Sequence, residues 1–328
     1  MKTKCCLIFF IICGVWLSSC TAPQVWRTAQ GAVWNTEFHI TYKASVDLRD
    51  SVLAVMKQVE ASLSPFAKKS LITRINLGED LRADSLLTRI FLESQRINSL
   101  SGGAFDPTVA PLINLWGFGY KNGGVEPTQE AIDSMLALVG IAECNLSPDG
   151  LIVRKSPGTE FNFSAITKGY GCDLVGEMFR RNGVTDYMVE IGGEIAVSGR
   201  NPRGSEWRIM VDAPVESDSA PIHQQLVTIG ITDCGVATSG NYRNRRDTER
   251  GRVWHTISPV TGRPALTDLL SATVIAPTCM TADALATACM ALYSADAMAM
   301  IEGISSAEAL LVTADTVIST RGFPVMDR

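Results

Sequence analysis

The sequence predicts an α+β fold in a single domain, and three observations carry that reading. Segments with helical apolar spacing lie toward both ends, while short alternating segments with glycine turns cluster between them. That segregation differs from regular βαβ alternation and favours mixed or antiparallel sheets flanked by helices. The 328 residues are 46% hydrophobic and only 19% charged, enough to bury a large core. No linker, low-complexity tract or solenoid-period repeat divides the chain. The net charge of −5 comes from acids and bases mixed along the chain, without a basic stripe, so nucleic acid is excluded as an expected partner.

The first segment, MKTKCCLIFFIICGVWLSSC, places Lys2 and Lys4 before an apolar run from Cys5 to Leu17. This is the layout of a bacterial secretory signal. The run is shorter than the roughly 20 apolar residues a membrane-spanning helix needs. Leu17-Ser18-Ser19-Cys20 resembles a lipobox, which implies a signal peptide over residues 1–19 and lipidation of Cys20. Residues 20–30 then read as a lipid-anchored tether and residues 31–328 as the domain; an ordinary signal peptide or an uncleaved anchor is the alternative. Cys144, Cys172, Cys234, Cys279 and Cys289 lie in apolar segments without metal-ligand spacing and read as small buried hydrophobes.

Residues 33–42 alternate as a strand. Helical spacing marks 51–64, about 85–100, 127–139 and 166–182. The segments DYMVEI, EIAVSG, WRIMVDAP, QLVTIGIT and GVATSG read as strands, the first two joined by Gly192-Gly193 as a hairpin. A helix over 280–292, a second short helix and the strands ALLVTA and TVIST close the chain.

Chemistry concentrates in five stretches. In SGGAFDPTVAPLINLWGFG (101–119), Ala104, Phe105 and Asp106 belong to a structured loop able to face a flat ligand, or to a simple turn. In FNFSAITKGYGCDLV (161–175), a strand is expected to enter a helix at Ser164-Ala165, with Lys168 early in that helix. Backbone groups at such a junction meet phosphate or metal, and Lys168 either balances phosphate or sits in solvent. Neither a Rossmann fingerprint nor a P-loop is present. The third stretch is the Gly192-Gly193 hairpin. The fourth, GVATSGNYRNRR (235–246), brings a turn at Ser239-Gly240 and basic side chains that face either phosphate or water. The fifth, HTISPVTGRPA (255–265), opens on His255, which is either a general base or a structural histidine at a strand end.

PTCMTADALATACMAL (277–292) raises one further choice. Either Thr281 caps a helix and Asp283 lies solvated in its first turn, or Asp283 is buried and met by a positive partner. Asp283 and Thr287 share a helix face at i, i+4 and offer two hard oxygens, the donors magnesium prefers beside phosphate.

In order along the chain, GGAFDPTVAPLINLWGFG, SAITKGYGCD, VEIGGEIAVSGRNP, GVATSGNYRNRR, HTISPVTGRPA and APTCMTADALATA resemble the ApbE family, the bacterial FAD:protein FMN transferases. The resemblance runs from about Trp34 to the C-terminus and implies a T-fold-related α+β domain with FAD in a central cleft. Carried over by position, it implies Mg2+ at Asp283, Thr287 and the Ala165 carbonyl. It implies FAD against Trp34, Phe66, Ala104, Phe105, Asp106, Asn162, Lys168 and His255. It further implies transfer of FMN to a threonine or serine hydroxyl with release of AMP, His255 or Asp283 taking the proton. The implied partner is an acceptor flavoprotein subunit of a membrane redox complex, met by a membrane-anchored lipoprotein facing the periplasm. FAD hydrolysis to FMN and AMP, or flavin binding without catalysis, are the alternatives. Three departures from the family pattern stand out. Asn162 replaces a usual Asp, Trp34-Asn35-Thr36 replaces Met-Gly-Thr, and Gly171 follows Lys-Gly-Tyr where alanine is common.

Overall fold

A computed structural model describes residues 22–119, 126–215, 222–241, 245–248 and 251–326. Residues 1–20, expected to form a secretory signal ending at Cys20, lie outside the described residues. Among the described residues, no helix is long and apolar enough to cross a membrane.

The chain opens with a hairpin, β1 (Val25–Val33) and β2 (Thr36–Ala44), whose register pairs Val33 with Thr36. The two residues between them, Trp34 and Asn35, both take positive φ (48° and 62°). That is the two-residue turn whose twist suits a hairpin, although tryptophan is an unusual occupant. Two expectations are corrected here. Residues 33–42 are not one strand, because a turn interrupts them at Trp34-Asn35. Val25 to Gln30, expected in a tether, belong to the sheet.

Three helices follow, α1 (Arg49–Leu63), α2 (Leu71–Asn76) and α3 (Ser85–Leu100), the last capped by Asp84, whose side chain accepts from the Leu87 N–H at 2.8 Å. Helices α4 (Ala110–Leu115) and α5 (Gln129–Leu136), with the short strands β3 (Asn145–Leu146) and β4 (Ile152–Val153), lead to the long helix α6 (Ser164–Arg181). The strand expected before α6 is absent. Residues 159–163 are irregular, and the chain is instead pinned by the buried, stacked rings of Phe161 and Phe163, 5.8 Å apart.

The hairpin β5 (Tyr187–Ile191) and β6 (Glu194–Ser198) turns through Gly192 and Gly193, both at positive φ, as the sequence predicts. Then come β7 (Trp207–Asp212), β8 (Gln225–Ile231), β9 (Cys234–Gly240), β10 (Arg245–Thr248), β11 (Gly251–Trp254) and β12 (Leu269–Ala276). Helices α7 (Cys279–Met290) and α8 (Ser294–Glu302) precede β13 (Glu308–Thr313) and β14 (Val317–Ser319). Ser239 and Gly240 lie inside β9 rather than in the expected turn, because both pair with β12.

Eight strands form one antiparallel sheet in the order β1-β2-β5-β6-β9-β12-β13-β14. Alternation divides its side chains between two faces. Ala237 and Val274 point into the main core beneath α6 and α7, whereas the neighbouring Val236 and Ile275 join Trp207 and Ile229 of the β7–β8 hairpin on the other side. The sheet therefore carries helices on one face and a hairpin on the other, which leaves β12 buried along nearly its whole length.

Helix α7 is buried on every side, so its start must be satisfied from within. Thr278 accepts from the Thr281 N–H at 3.2 Å, and Asp173 of α6 accepts from the N–H groups of Cys279 (2.9 Å) and Met280 (2.8 Å). Asp173→Ala leaves two buried donors without acceptors, at a cost of about 2–3 kcal/mol. Calorimetry should record a melting temperature several degrees lower; an unchanged transition would show that α7 is held some other way.

Candidate functional site

Helices α6 and α7 meet the sheet at β6 and β9. Together with the 104–119 loop and the 255–259 segment, they enclose a cavity of about 750 Å³. Its wall contains Phe66, Ala104, Phe105, Asp106 and Asn162 of the predicted set. It also contains Ala165, Lys168, His255, Asp283 and Thr287. Segments separated by up to 221 positions thus converge on one pocket. Trp34 does not line it: its ring packs toward Gly171 of α6 from the hairpin turn, against the apolar clusters on that side.

The approach of α6 to α7 is set by two glycines. A Cβ on Gly169 would stand 2.3 Å from the Cys279 carbonyl oxygen, and one on Gly235 would stand 2.2 Å from the Cys279 nitrogen. The first residue of α7 is thereby wedged between a helix and a strand, where no larger residue fits. This brings Asp283, four residues on, to the Gly169 N–H, which donates to its Oδ2 at 3.0 Å. Asp283 is only 2% exposed. The choice left open by the sequence is settled: Thr278 is the cap, Asp283 lies beyond the first turn, and Lys168 is the positive group beside it.

One turn on, Thr287 places its hydroxyl 3.5 Å from the Ala165 carbonyl and 3.4 Å from the Ser239 hydroxyl. A carboxylate, a hydroxyl and a carbonyl therefore gather at one end of the cavity. Among the described residues there is no cluster of three or more His, Cys, Asp or Glu side chains suited to a metal. Any cation held here would rely on this mixed, hard oxygen set.

Lys168 forms an ion pair with Glu194 Oε1, and about a third of its side chain remains accessible. Burial works against its charge, but the Glu194 and Asp283 carboxylates outweigh it and raise its pKa above the usual lysine range. Burial pushes Glu194 up to about 7, against the pull of Lys168. Burial raises Asp283 as well, opposed by Lys168 and the Gly169 N–H. Glu194 escapes the sequence reading because a glutamate after Gly-Gly in a strand looks like a solvated edge residue. The available signal was strand alternation, which puts residue 194 on the helix-covered face with Ala196.

The loop residues divide between lining and scaffolding. Ala104 and Phe105 line the cavity, and Asn98 fixes the Phe105 carbonyl through its Nδ2 at 2.8 Å. Asp106 lies in the wall, but both oxygens of its carboxylate are engaged. Oδ1 accepts from the Thr108 N–H (2.8 Å) and hydroxyl (2.6 Å), and Oδ2 from the Ile141 N–H (2.9 Å). Asn162 Oδ1 accepts from the Ser164 N–H at 2.9 Å at the start of α6, a bond that an aspartate there would make equally. His255 stands half-buried in the cavity wall, and Phe66, also lining it, is 67% exposed. Of the 242–250 segment the backbone of β10 is described, and its basic side chains lie outside the description.

Fold and site define a class: an α+β binding protein whose pocket sets hard oxygen donors beside a fixed ammonium, a combination suited to an anionic ligand with a divalent cation. The sequence profile of the ApbE family matches residues 34–311. An FAD:protein FMN transferase of Vibrio cholerae is 34% identical over 311 residues, 91% of each chain. One of Haemophilus influenzae is 30% identical over 98% of this chain and 96% of its own. The solved flavin transferase ApbE of Vibrio cholerae superposes with a TM-score of 0.79 at 32% identity, covering 91% of this chain and 97% of that one. This chain belongs to the ApbE family.

Gly169→Ala tests the wedge. Its methyl meets backbone of Cys279 rather than a flexible side chain, so α7 must move and carry Asp283 with it. The variant should unfold at a lower temperature and lose ligand binding at the cavity, read by melting curves and flavin fluorescence; a wild-type profile would mean that α6 and α7 are not in this contact.

Proposed function

We propose that this chain transfers FMN from FAD to a hydroxyl group of an acceptor protein, releasing AMP, and that Mg2+ assists the reaction. The observation that carries this reading is the convergence of Asp283, Thr287 and the Ala165 carbonyl on one cavity with Lys168. The similarity to FAD:protein FMN transferases across nearly the whole chain supports it.

The residues present suit magnesium. Asp283 has one oxygen engaged by Gly169, and its other oxygen accepts no hydrogen bond from the described residues. With the Thr287 hydroxyl and the Ala165 carbonyl, it makes an all-oxygen set with one carboxylate, leaving room for phosphate oxygens and water. Bound there, Mg2+ would neutralise the diphosphate and stabilise charge developing on the departing AMP.

This chain's own residues do the rest. Lys168, kept protonated, draws in phosphate oxygens. Ala104 and Phe105 offer an apolar wall to a flat ring. The acceptor's threonine or serine oxygen attacks the phosphorus on the FMN side, in line with the oxygen that leaves with AMP. A new phosphoester bond forms as the phosphoanhydride bond breaks. His255 takes the hydroxyl proton; Asp283, with one oxygen held by an N–H and a cation beside it, is the poorer acceptor.

The sequence of residues 1–20 adds a location. Lipidation at Cys20 would hold the domain at a membrane surface on the periplasmic side, within reach of an acceptor flavoprotein subunit of a membrane redox complex. Cys20→Ser should move the protein from the membrane to the soluble fraction and remove the acyl mass; unchanged partition would refute the anchor.

Asp283→Ala should lower magnesium-dependent flavinylation of an acceptor by at least about 100-fold. In-gel flavin fluorescence and mass spectrometry of the acceptor read this directly. Full activity in the variant refutes the assignment, and FMN with AMP appearing while the acceptor stays unmodified would make the chain a hydrolase.

A further inference from the structure

Glu194 is the one member of the charged group with no role in the reading above. It leads β6 out of the glycine turn, is 3% exposed and lines the cavity beside Lys168 and Asp283. Oε1 pairs with the Lys168 ammonium, while Oε2 is buried and accepts no hydrogen bond from any described residue. A buried carboxylate with one empty oxygen is costly unless its charge is used.

Its use follows from what the lysine would otherwise do. Lys168 and Gly169 are consecutive, and Gly169 is bonded to Asp283, so the ammonium starts within the field of that carboxylate. Unrestrained, a lysine on a flexible stem would close on Asp283 and occupy the oxygen that faces the cavity. An ammonium there would block a divalent cation by place and by charge.

We propose that Glu194 is a positioning residue which ties the Lys168 ammonium to β6, keeping Asp283 open for a divalent cation while leaving the lysine able to meet phosphate. This rests on the reading of Asp283 as a cation ligand. The arrangement separates two needs of the site: a positive charge for the ligand's phosphates and an unblocked carboxylate for the metal. Glu194 supplies the separation because its neighbour strand position is rigid, set by pairing with β5 and β9.

The test uses Mn2+ as the probe cation, titrated by electron paramagnetic resonance into protein saturated with FAD, so that affinity is read without turnover. Glu194→Gln should weaken Mn2+ binding by about tenfold or more, since the released lysine turns to Asp283. Adding Lys168→Met to Glu194→Gln should return the affinity to that of Lys168→Met alone, because neither variant then carries an ammonium that could block Asp283. Should Glu194→Gln fail to fold, judged by its melting curve, Glu194→Asp serves in its place, because its shorter reach also loosens the pair. Unchanged Mn2+ affinity in the folded single variant overturns the proposal. So does a double variant that stays weaker than Lys168→Met alone, because Glu194 would then be a ligand or a plain structural group. Wild-type protein that binds no Mn2+ sinks the cation reading itself, and the inference with it.

Discussion

The site depends on how closely α6 approaches the first turn of α7. Cys279 sits between Gly169 and Gly235 at distances that leave no room for a methyl group on either. Everything chemical is measured from that wedge. It sets the Gly169 N–H against Asp283 and brings the Ala165 carbonyl to the Thr287 hydroxyl. It also places Lys168, one residue before the glycine, opposite Glu194. The Lys-Gly-Tyr run thus needs its glycine for helix contact rather than for loop flexibility, in the middle of a helix where glycine costs about 1 kcal/mol. Packing against Cys279 is what offsets that cost.

Much of this was legible in the sequence, and what was hidden follows a pattern. Helices with mixed faces, such as α3, showed their bounds because solvent and core alternate every turn. The strand β12 was overlooked because it is buried on both faces and carries no alternation to find. The β1–β2 turn was hidden because Trp34 in the left-handed region breaks the usual preference for glycine or asparagine. Of the eleven residues expected at the pocket, ten line it, Trp34 being the exception. Glu194 was missed because its meaning lies in a partner 26 residues away, and strand alternation was its one local signal.

The departures from the family pattern become one packing solution instead of separate oddities. Trp34 stands where methionine is usual, and Gly171 where alanine is common. A Cβ on Gly171 would lie 2.6 Å from the Trp34 ring. The large residue in the hairpin turn is therefore accommodated by the missing methyl on α6, and neither change reaches the cavity. Asn162 departs in charge only, since the bond it makes to the Ser164 N–H asks for an oxygen and not for an anion.

Four buried acids surround this chemistry, and their hydrogen bonds sort them. Asp106 has one oxygen filled by Thr108 and the other by the Ile141 N–H, and Asp173 gives one oxygen to each of two N–H groups at the start of α7. These two are complete without a ligand, so their charge serves the fold. Asp283 has one oxygen filled by an N–H, and Glu194 one filled by an ammonium. Among the described residues a single lysine stands against those two half-satisfied carboxylates. Burial raises the proton affinity of both, so a proton or a bound cation can neutralise this end of the cavity. Thr287 and Ala165 add neutral oxygens beside Asp283, whereas Asp106, the one acid of the 104–119 loop, has both oxygens engaged.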